Sequence, residues 1–364
     1  MSIIKSILEQ AVAQDASDIH LKVDAAPVYR IRGQLITSKL ARLSRADLQR
    51  ITAEILPAHL QKKHALGHES DFSHQEEGVG RFRVNVFLSQ HVPALALRYV
   101  KTKIPSIAEL GLPTVLEKLM DIRSGIVMVC GATGSGKSTT LAALIHYLNL
   151  TRHSRIITIE DPVEYQFQDI HALITQREVG LDTPSFHAAL KHIIRQDPDV
   201  IMIGEMRDQV SFAVALSAAE TGHLVLSTLH ANTALQAVHR LLNFFPAEER
   251  EQVRLALAGN LSALLCQRLV RSGRGGVLPA VEIMRNTPTV HKLLLANKLE
   301  TLPAAIETGQ EDGMRTFNQD LYRLIKNGHV TAQEGLAQSP SPEALKMNLQ
   351  GIFLDEGRRI LQED

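Results

Sequence analysis

Ten residues, GATGSGKSTT from Gly131 to Thr140, follow directly on the apolar run Ile126-Val127-Met128-Val129-Cys130. They match G-x-x-x-x-G-K-[ST] at Gly131, Gly136, Lys137 and Ser138. A glycine-rich turn of this spacing lets successive backbone N–H groups point inward, while the helix behind it presents the positive end of its dipole. The ligand such a turn fits is a phosphate chain. Lys137 then reaches the β- and γ-phosphates, and the Ser138 hydroxyl can ligate Mg²⁺. The context agrees, because an apolar strand precedes the turn and the helical run STTLAALIHYL follows it.

Three further apolar runs end in polar residues. RIITI (155–159) ends at Glu160-Asp161, with Glu164 in the same turn; DVIMI (199–203) ends at Gly204-Glu205; HLVLS (223–227) leads through Thr228 and Leu229 to His230. Short β-branched runs alternating with helical patterns predict a parallel sheet covered by helices. In such a sheet, ligands lie beyond the carboxyl ends of the strands, so these residues are expected to converge on one site. Glu205 is the candidate to polarise an attacking water. The strand-end Asp that commonly supports Mg²⁺ in P-loop enzymes is replaced by Gly204, which leaves Glu164 or Asp161 to support the metal through water. His223 and His230 bracket the last of these runs, seven residues apart, and do not form an obvious metal pair. His230, at the catalytic edge, is the candidate γ-phosphate sensor.

The first hundred residues read differently. PVYRIRGQLI alternates Val28, Arg30 and Arg32 with Tyr29, Ile31 and Gly33, and GRFRVNVFL sets Phe82, Val84, Val86 and Leu88 against Arg81, Arg83 and Asn85. Both are half-buried strand patterns. ALALRYVK follows after SQHVP, which predicts a hairpin; SRADLQRITAEIL predicts a helix capped by Ser44. Residues 1–100 thus form a small α+β domain, 101–113 a linker rich in turn residues, and 114–285 the nucleotide domain. The pattern turns mostly helical after about Pro279, with a polar break at 338–344, giving a C-terminal helical segment over 286–364. If the hairpin turns near Gln90-His91, Arg83 and Arg98 face each other across strands. Two like charges so placed call for an anion. The expectation is the triphosphate of a neighbouring subunit, which makes the pair arginine fingers supplied in trans.

Composition excludes several classes. Lys plus Arg and Asp plus Glu both number 39, no basic run of five occurs and aromatics are 4%, so a general nucleic-acid binder is disfavoured. No apolar stretch approaches the ~18–20 residues a bilayer span needs. The first residues, MSIIKSILEQAVAQDASD, gain polar and acidic groups too early for a signal peptide and predict an amphipathic helix. Cys130 and Cys266, the only two cysteines, give neither a disulfide framework nor a zinc module. A cytoplasmic protein without direct membrane insertion is expected.

GATGSGKSTT, ITIEDPVEY, TQREVGLDT, IRQDPDVIMIGEMRD and ETGHLVLSTLHANT, in this order, together resemble the secretion ATPase superfamily. ASDIHL, GRFRVNVF and TFNQDLY extend the likeness over nearly the whole chain and make it closer to the PilT/PilU-type motors of type IV pilus retraction. The resemblance implies an α/β chain with a PAS-like α+β domain, then a RecA-like P-loop NTPase domain, then C-terminal helices. It also implies a homo-hexamer with ATP and Mg²⁺ between subunits. Gly131, Ala132, Thr133, Gly134, Ser135, Gly136, Lys137, Ser138 and Thr139 match the nucleotide-binding loop, and Glu205 matches the catalytic glutamate. Glu164 matches the glutamate that supports the metal. His223 and His230 match a histidine box, and Arg83 and Arg98 the arginine fingers. The implied partners are an inner-membrane pilus platform protein, which would hold the ring at the pilus base, and a second retraction ATPase. One departure counts: the AIRNLIRE signature of retraction motors corresponds here to TVHKLLLAN (289–297), which keeps the apolar positions and loses the Arg/Asn/Arg/Glu pattern. Assembly ATPases of the superfamily carry a four-cysteine zinc module that this chain lacks.

Overall fold

The computed structural model describes residues 2–31, 33–100 and 103–353. Arg32, the first two linker positions and the end of the C-terminal segment lie outside the described residues. The chain divides into two units, one of Met1–Lys103 with Pro162–Gln166, the other of Ile104–Asp161 with Phe167–Asp364.

The first unit contains α1 (Ile3–Ala13), β1 (Ala16–Leu21), β2 (Val28–Ile31), β3 (Gln34–Thr37), α2 (Arg45–Ile55), α3 (Ala58–Ala65), β4 (Ser70–Glu76), β5 (Gly80–Ser89) and β6 (Val92–Val100). Its strands pair antiparallel in the order β3-β2-β1-β6-β5-β4. The alternation of β5 buries Phe82, Val84 and Val86 against Ile4, Ile7 and Leu8 of α1 and Leu48 and Ile51 of α2. Leu88, expected on the same buried face, is exposed where the strand runs out towards its turn. Ser44 caps α2 in a reciprocal capping box with Asp47. Gln90 and His91 both have positive φ, 53° and 59°, the backbone that a two-residue hairpin loop needs to match strand twist. That turn fixes the register Arg83↔Arg98.

The second unit contains α4 (Val115–Leu119), β7 (Gly125–Cys130), α5 (Lys137–Thr151), β8 (Arg155–Glu160), β9 (Leu173–Glu178), α6 (Phe186–Ile193), β10 (Val200–Ile203), α7 (Gln209–Glu220), β11 (Leu224–Leu229), α8 (Ala234–Leu242), α9 (Arg250–Asn260), β12 (Leu261–Arg271) and β13 (Val277–Arg285), followed by α10 (Pro288–Leu295), α11 (Leu302–Thr308), α12 (Phe317–Lys326), α13 (Ala332–Gln338) and α14 (Pro342–Leu349). The sheet order is β13-β12-β7-β11-β10-β8-β9, parallel throughout except for the β12–β13 pair. Every residue of β7 is buried because both faces are covered. Ile126, Met128 and Cys130 pack towards α6, α7, α8 and α9, while Val127 and Val129 pack towards Leu141, Leu144, Ile145 and Leu148 of α5. This is the continuous apolar reading of a parallel strand, in which neither side faces water.

One reading of this unit needs correction. Pro279 does not begin the helical region. It sits inside β13, opposite Leu269, and an outermost strand tolerates a residue without an N–H. LSALLCQRLVR, which lacks period-2 alternation, forms the eleven-residue strand β12 beside β7. The polar break at 338–344 does separate α13 from α14, which starts with Pro342 in its first turn.

Candidate nucleotide site

Because β7, β11, β10 and β8 are neighbours and parallel, their carboxyl ends meet at one sheet edge. Along that edge lie Gly131, then His230, then Gly204 and Glu205, then Glu160. Gly131 N–H donates to the Leu229 carbonyl at 3.1 Å, and Gly204 N–H to the Ile159 carbonyl at 2.8 Å, so the loops leave the sheet from paired positions.

The loop's glycines have steric causes. Gly131, Gly134 and Gly136 have φ of 152°, 78° and 87°, a region that favours glycine. A Cβ on Gly131 would lie 2.4 Å from Ser135 Oγ and 2.6 Å from the Gln267 carbonyl; one on Gly136 would lie 2.8 Å from Gln267 Nε2. Ala132, Thr133 and Gly134 are exposed, Ser135 is buried, and Lys137, Ser138 and Thr139 open the first turn of α5, half-buried. Lys137 Nζ donates to the Gly131 and Ala132 carbonyls, both at 2.9 Å, which folds the ammonium over the loop where a phosphate chain would pass.

Opposite the loop, Glu205 is 22% exposed. Its Oε1 lies 3.2 Å from His230 Nε2, and its Oε2 accepts from Arg207 Nε at 2.8 Å. Arg207 also lies 3.9 Å from Asp161. Burial and the nearby Lys137 ammonium hold the His230 pKa below its ordinary value, against the opposing pull of the Glu205 carboxylate. Glu160 is buried, and its Oε1 accepts from Thr158 Oγ1 at 2.6 Å and from Gln176 Nε2 at 3.0 Å. At Gly204, the strand-end position of a metal-binding Asp in other P-loop enzymes, a Cβ would lie 3.1 Å from the Ile159 carbonyl, a tight contact that the backbone would have to relieve.

The structure brings the loop, Glu205 and His230 together in this unit. It does not bring His223 to them. His223 precedes β11, and its Nδ1 lies 2.9 Å from the Ala218 carbonyl and 3.1 Å from Thr221 Oγ1, at the opposite sheet edge from His230. Glu164 is exposed and falls in the Pro162–Gln166 stretch that belongs with the first unit.

Arg83 and Arg98 also belong to the first unit and do oppose each other, but the sequence reading overlooked Asp18. It stands opposite Arg98 on β1 and accepts from Arg98 Nε at 2.9 Å, with Arg30 at 3.7 Å on its other side. Burial raises the pKa of Asp18, yet hydrogen bonds from Ser17 and Arg98 and the charges of Arg98 and Arg30 outweigh it and hold the carboxyl below its ordinary value. Part of the anion expected from outside is therefore internal. Other contributors that spacing alone did not reveal are Arg207, Gln267, whose amide lies beneath the loop, and Glu282. The last is a buried carboxylate that accepts from Ala234 N–H at 2.7 Å and fixes the start of α8 just after His230. A buried polar residue on a strand is the only hint that Gln267 and Glu282 offer.

A parallel sheet with a phosphate-binding loop at one strand end and a carboxylate at the next-but-one defines a RecA-like P-loop ATPase. The chain belongs to the family described as "Type II/IV secretion system protein", whose model matches residues 1–275. It is 39% identical over 344 residues to the type IV pilus ATPase PilU of Pseudomonas aeruginosa, covering 94% of this chain and 90% of that protein. It is 38% identical over 340 residues to the type IV pilus retraction ATPase PilT of the same organism, covering 93% and 99%. Among solved structures, the pilus retraction motor PilT with bound ADP superposes with a TM-score of 0.88 at 40% identity, covering 94% of this chain and 98% of that one.

Proposed function

We propose that this chain is an ATP-hydrolysing motor of type IV pilus retraction that works as a homo-hexameric ring on the cytoplasmic side of the inner membrane, at the pilus base. The observation that carries the reading is the Glu205–His230 pair, 3.2 Å apart, at the sheet edge that also bears the phosphate loop. Loop amides and Lys137 would hold the β- and γ-phosphates, and Glu205 would take a proton from the attacking water. To do so, Glu205 must exchange one of its present partners, Arg207 or His230, for that water. His230, kept neutral by its surroundings, can report the γ-phosphate without adding charge.

Ser138 would ligate Mg²⁺ through its hydroxyl oxygen, and Glu164 would support the ion through water. Bound Mg²⁺ would neutralise charge on the transferring phosphoryl group. Arg83 and Arg98 of one subunit would reach the triphosphate on the next, so that hydrolysis releases a clamp between subunits. The expected linker at 101–113 does not hold over its whole length, because the chain from Ile104 belongs to the second unit and buries Ile107 and Leu112 there. Force would reach the pilus through an inner-membrane platform protein.

A second reading, an accessory ring that supports another retraction ATPase, is favoured by α10. There Val290, Leu293 and Leu294 keep the buried face, whereas His291 and Lys292 stand where the retraction signature has other polar residues. Phosphate release by the purified full chain separates the two. The motor reading expects turnover that Lys137→Ala abolishes and Glu205→Gln reduces by about 100-fold or more with nucleotide binding retained. Turnover no higher than that of Lys137→Ala favours the accessory ring. In cells, deletion is expected to leave surface pili in excess and twitching lost; loss of the pili themselves overturns retraction.

A further inference from the structure

We infer that Gln267 is a positioning residue for nucleotide: from β12 it sets the phosphate-binding loop in its binding shape before ligand arrives. The inference rests on the nucleotide reading of the loop given above.

Gln267 is 3% exposed and stands one residue after Cys266, which pairs in register with Cys130 at the end of β7. Its amide therefore lies beside the point where the loop leaves the sheet. Its Nε2 donates to the Ser135 carbonyl at 2.7 Å, and its Oε1 accepts from Thr140 Oγ1 at 2.8 Å. Chemistry fixes the amide's orientation: the Ser135 carbonyl can only accept, so nitrogen must face it, and the Thr140 hydroxyl is then left to donate to oxygen. One side chain thus ties the crown of the loop to the first turn of α5. Its own backbone closes the third side, because the Gln267 carbonyl is what bars a side chain at Gly131, while its Nε2 bars one at Gly136.

Such a brace matters because of the loop's composition. Three glycines at positive φ permit the fold of the turn but also give the unbraced segment many alternatives. Ordering those alternatives at the moment of binding would be charged against affinity; ordering them beforehand is not. Neither partner of Gln267 is a group proposed to touch phosphate through its side chain. A defect in Gln267 should therefore appear as weakened binding rather than as a missing contact.

The test is calorimetric titration of the full-length protein with Mg-ADP, alongside the melting temperature without nucleotide. Gln267→Met keeps length and packing but removes both hydrogen bonds. It is expected to weaken binding about tenfold, as the loss of two buried hydrogen bonds allows. Thr140→Val, which removes one, should weaken it about threefold, and the double variant should be no weaker than Gln267→Met by more than about twofold, since the bonds act through one brace. Val270→Ala, a truncation of a buried residue three positions further along β12, should lower the melting temperature while leaving affinity unchanged. Binding by Gln267→Met within about twofold of wild type, whatever its melting temperature, overturns the inference. Should that variant not fold, unchanged affinity in Thr140→Val does the same. A wild-type protein that takes up no Mg-ADP overturns the nucleotide reading itself, and this inference with it.

Discussion

His230 illustrates how a single side chain is tuned by its surroundings. Its ring faces Glu205, Lys137, Arg207 and Arg240, and the balance of burial and charge disfavours the imidazolium. The folded chain therefore binds fewer protons here than the unfolded chain, in which His titrates near about 6.5. The stabilisation is present above that value and is lost as pH falls through the lower folded value. Denaturant midpoints measured between about pH 7.5 and about pH 5.5 should accordingly fall less in His230→Gln than in wild type; an equal or steeper fall in the variant contradicts the assignment. Glu205 and His230 were legible in the sequence because each lies within three residues of the end of an apolar run. Asp18 was not. Nothing in ASDIHL tells which strand its carboxylate will oppose, and only the pairing of β1 with β6 places it on Arg98.

The strands and helices were legible in proportion to the clarity of their patterns. β7, β8, β10 and β11 are short apolar runs closed by polar or glycine residues, and α2 shows helical spacing behind Ser44 as its N-cap. β9 and β12 were not read. LITQRE is polar at four of its six positions and forms an outer strand of the sheet, and LSALLCQRLVR carries Gln and Arg among leucines, a mixture equally compatible with a helix. Placing β12 beside β7 has a chemical consequence, since it brings Cys266 opposite Cys130 in the interior. Burial pushes the Cys266 thiol well above its ordinary value, and its hydrogen bond with Cys130 adds to this. Both thiols should be inert to Ellman's reagent in the native protein and react fully in guanidinium. Rapid native reaction of either one contradicts this packing.

At the level of the assembled protein, the chain carries two kinds of charged machinery in two different units. The second unit holds the loop, Glu205 and His230; the first holds Arg83 and Arg98, with Asp18 fastening the latter by its Nε. Although Asp18 accepts from its Nε, Arg98 is 68% exposed. Arg83, Arg98 and Arg30, with Asp18 between the last two, make a cationic cluster on that sheet face. A phosphate chain from a neighbouring subunit is the group proposed to meet it. Co-expression of Lys137→Ala subunits with Arg98→Glu subunits tests that arrangement. Each is expected to be inactive alone, the first lacking a loop lysine and the second a finger. In mixed rings, an intact loop on one subunit meets an intact Arg98 on the next at about a quarter of random seams. Phosphate release well above either parent, in rings shown to be mixed by native mass spectrometry, is the predicted result. Mixed rings as inactive as their parents, or Arg98→Glu rings with wild-type turnover, would contradict a nucleotide shared between two protomers.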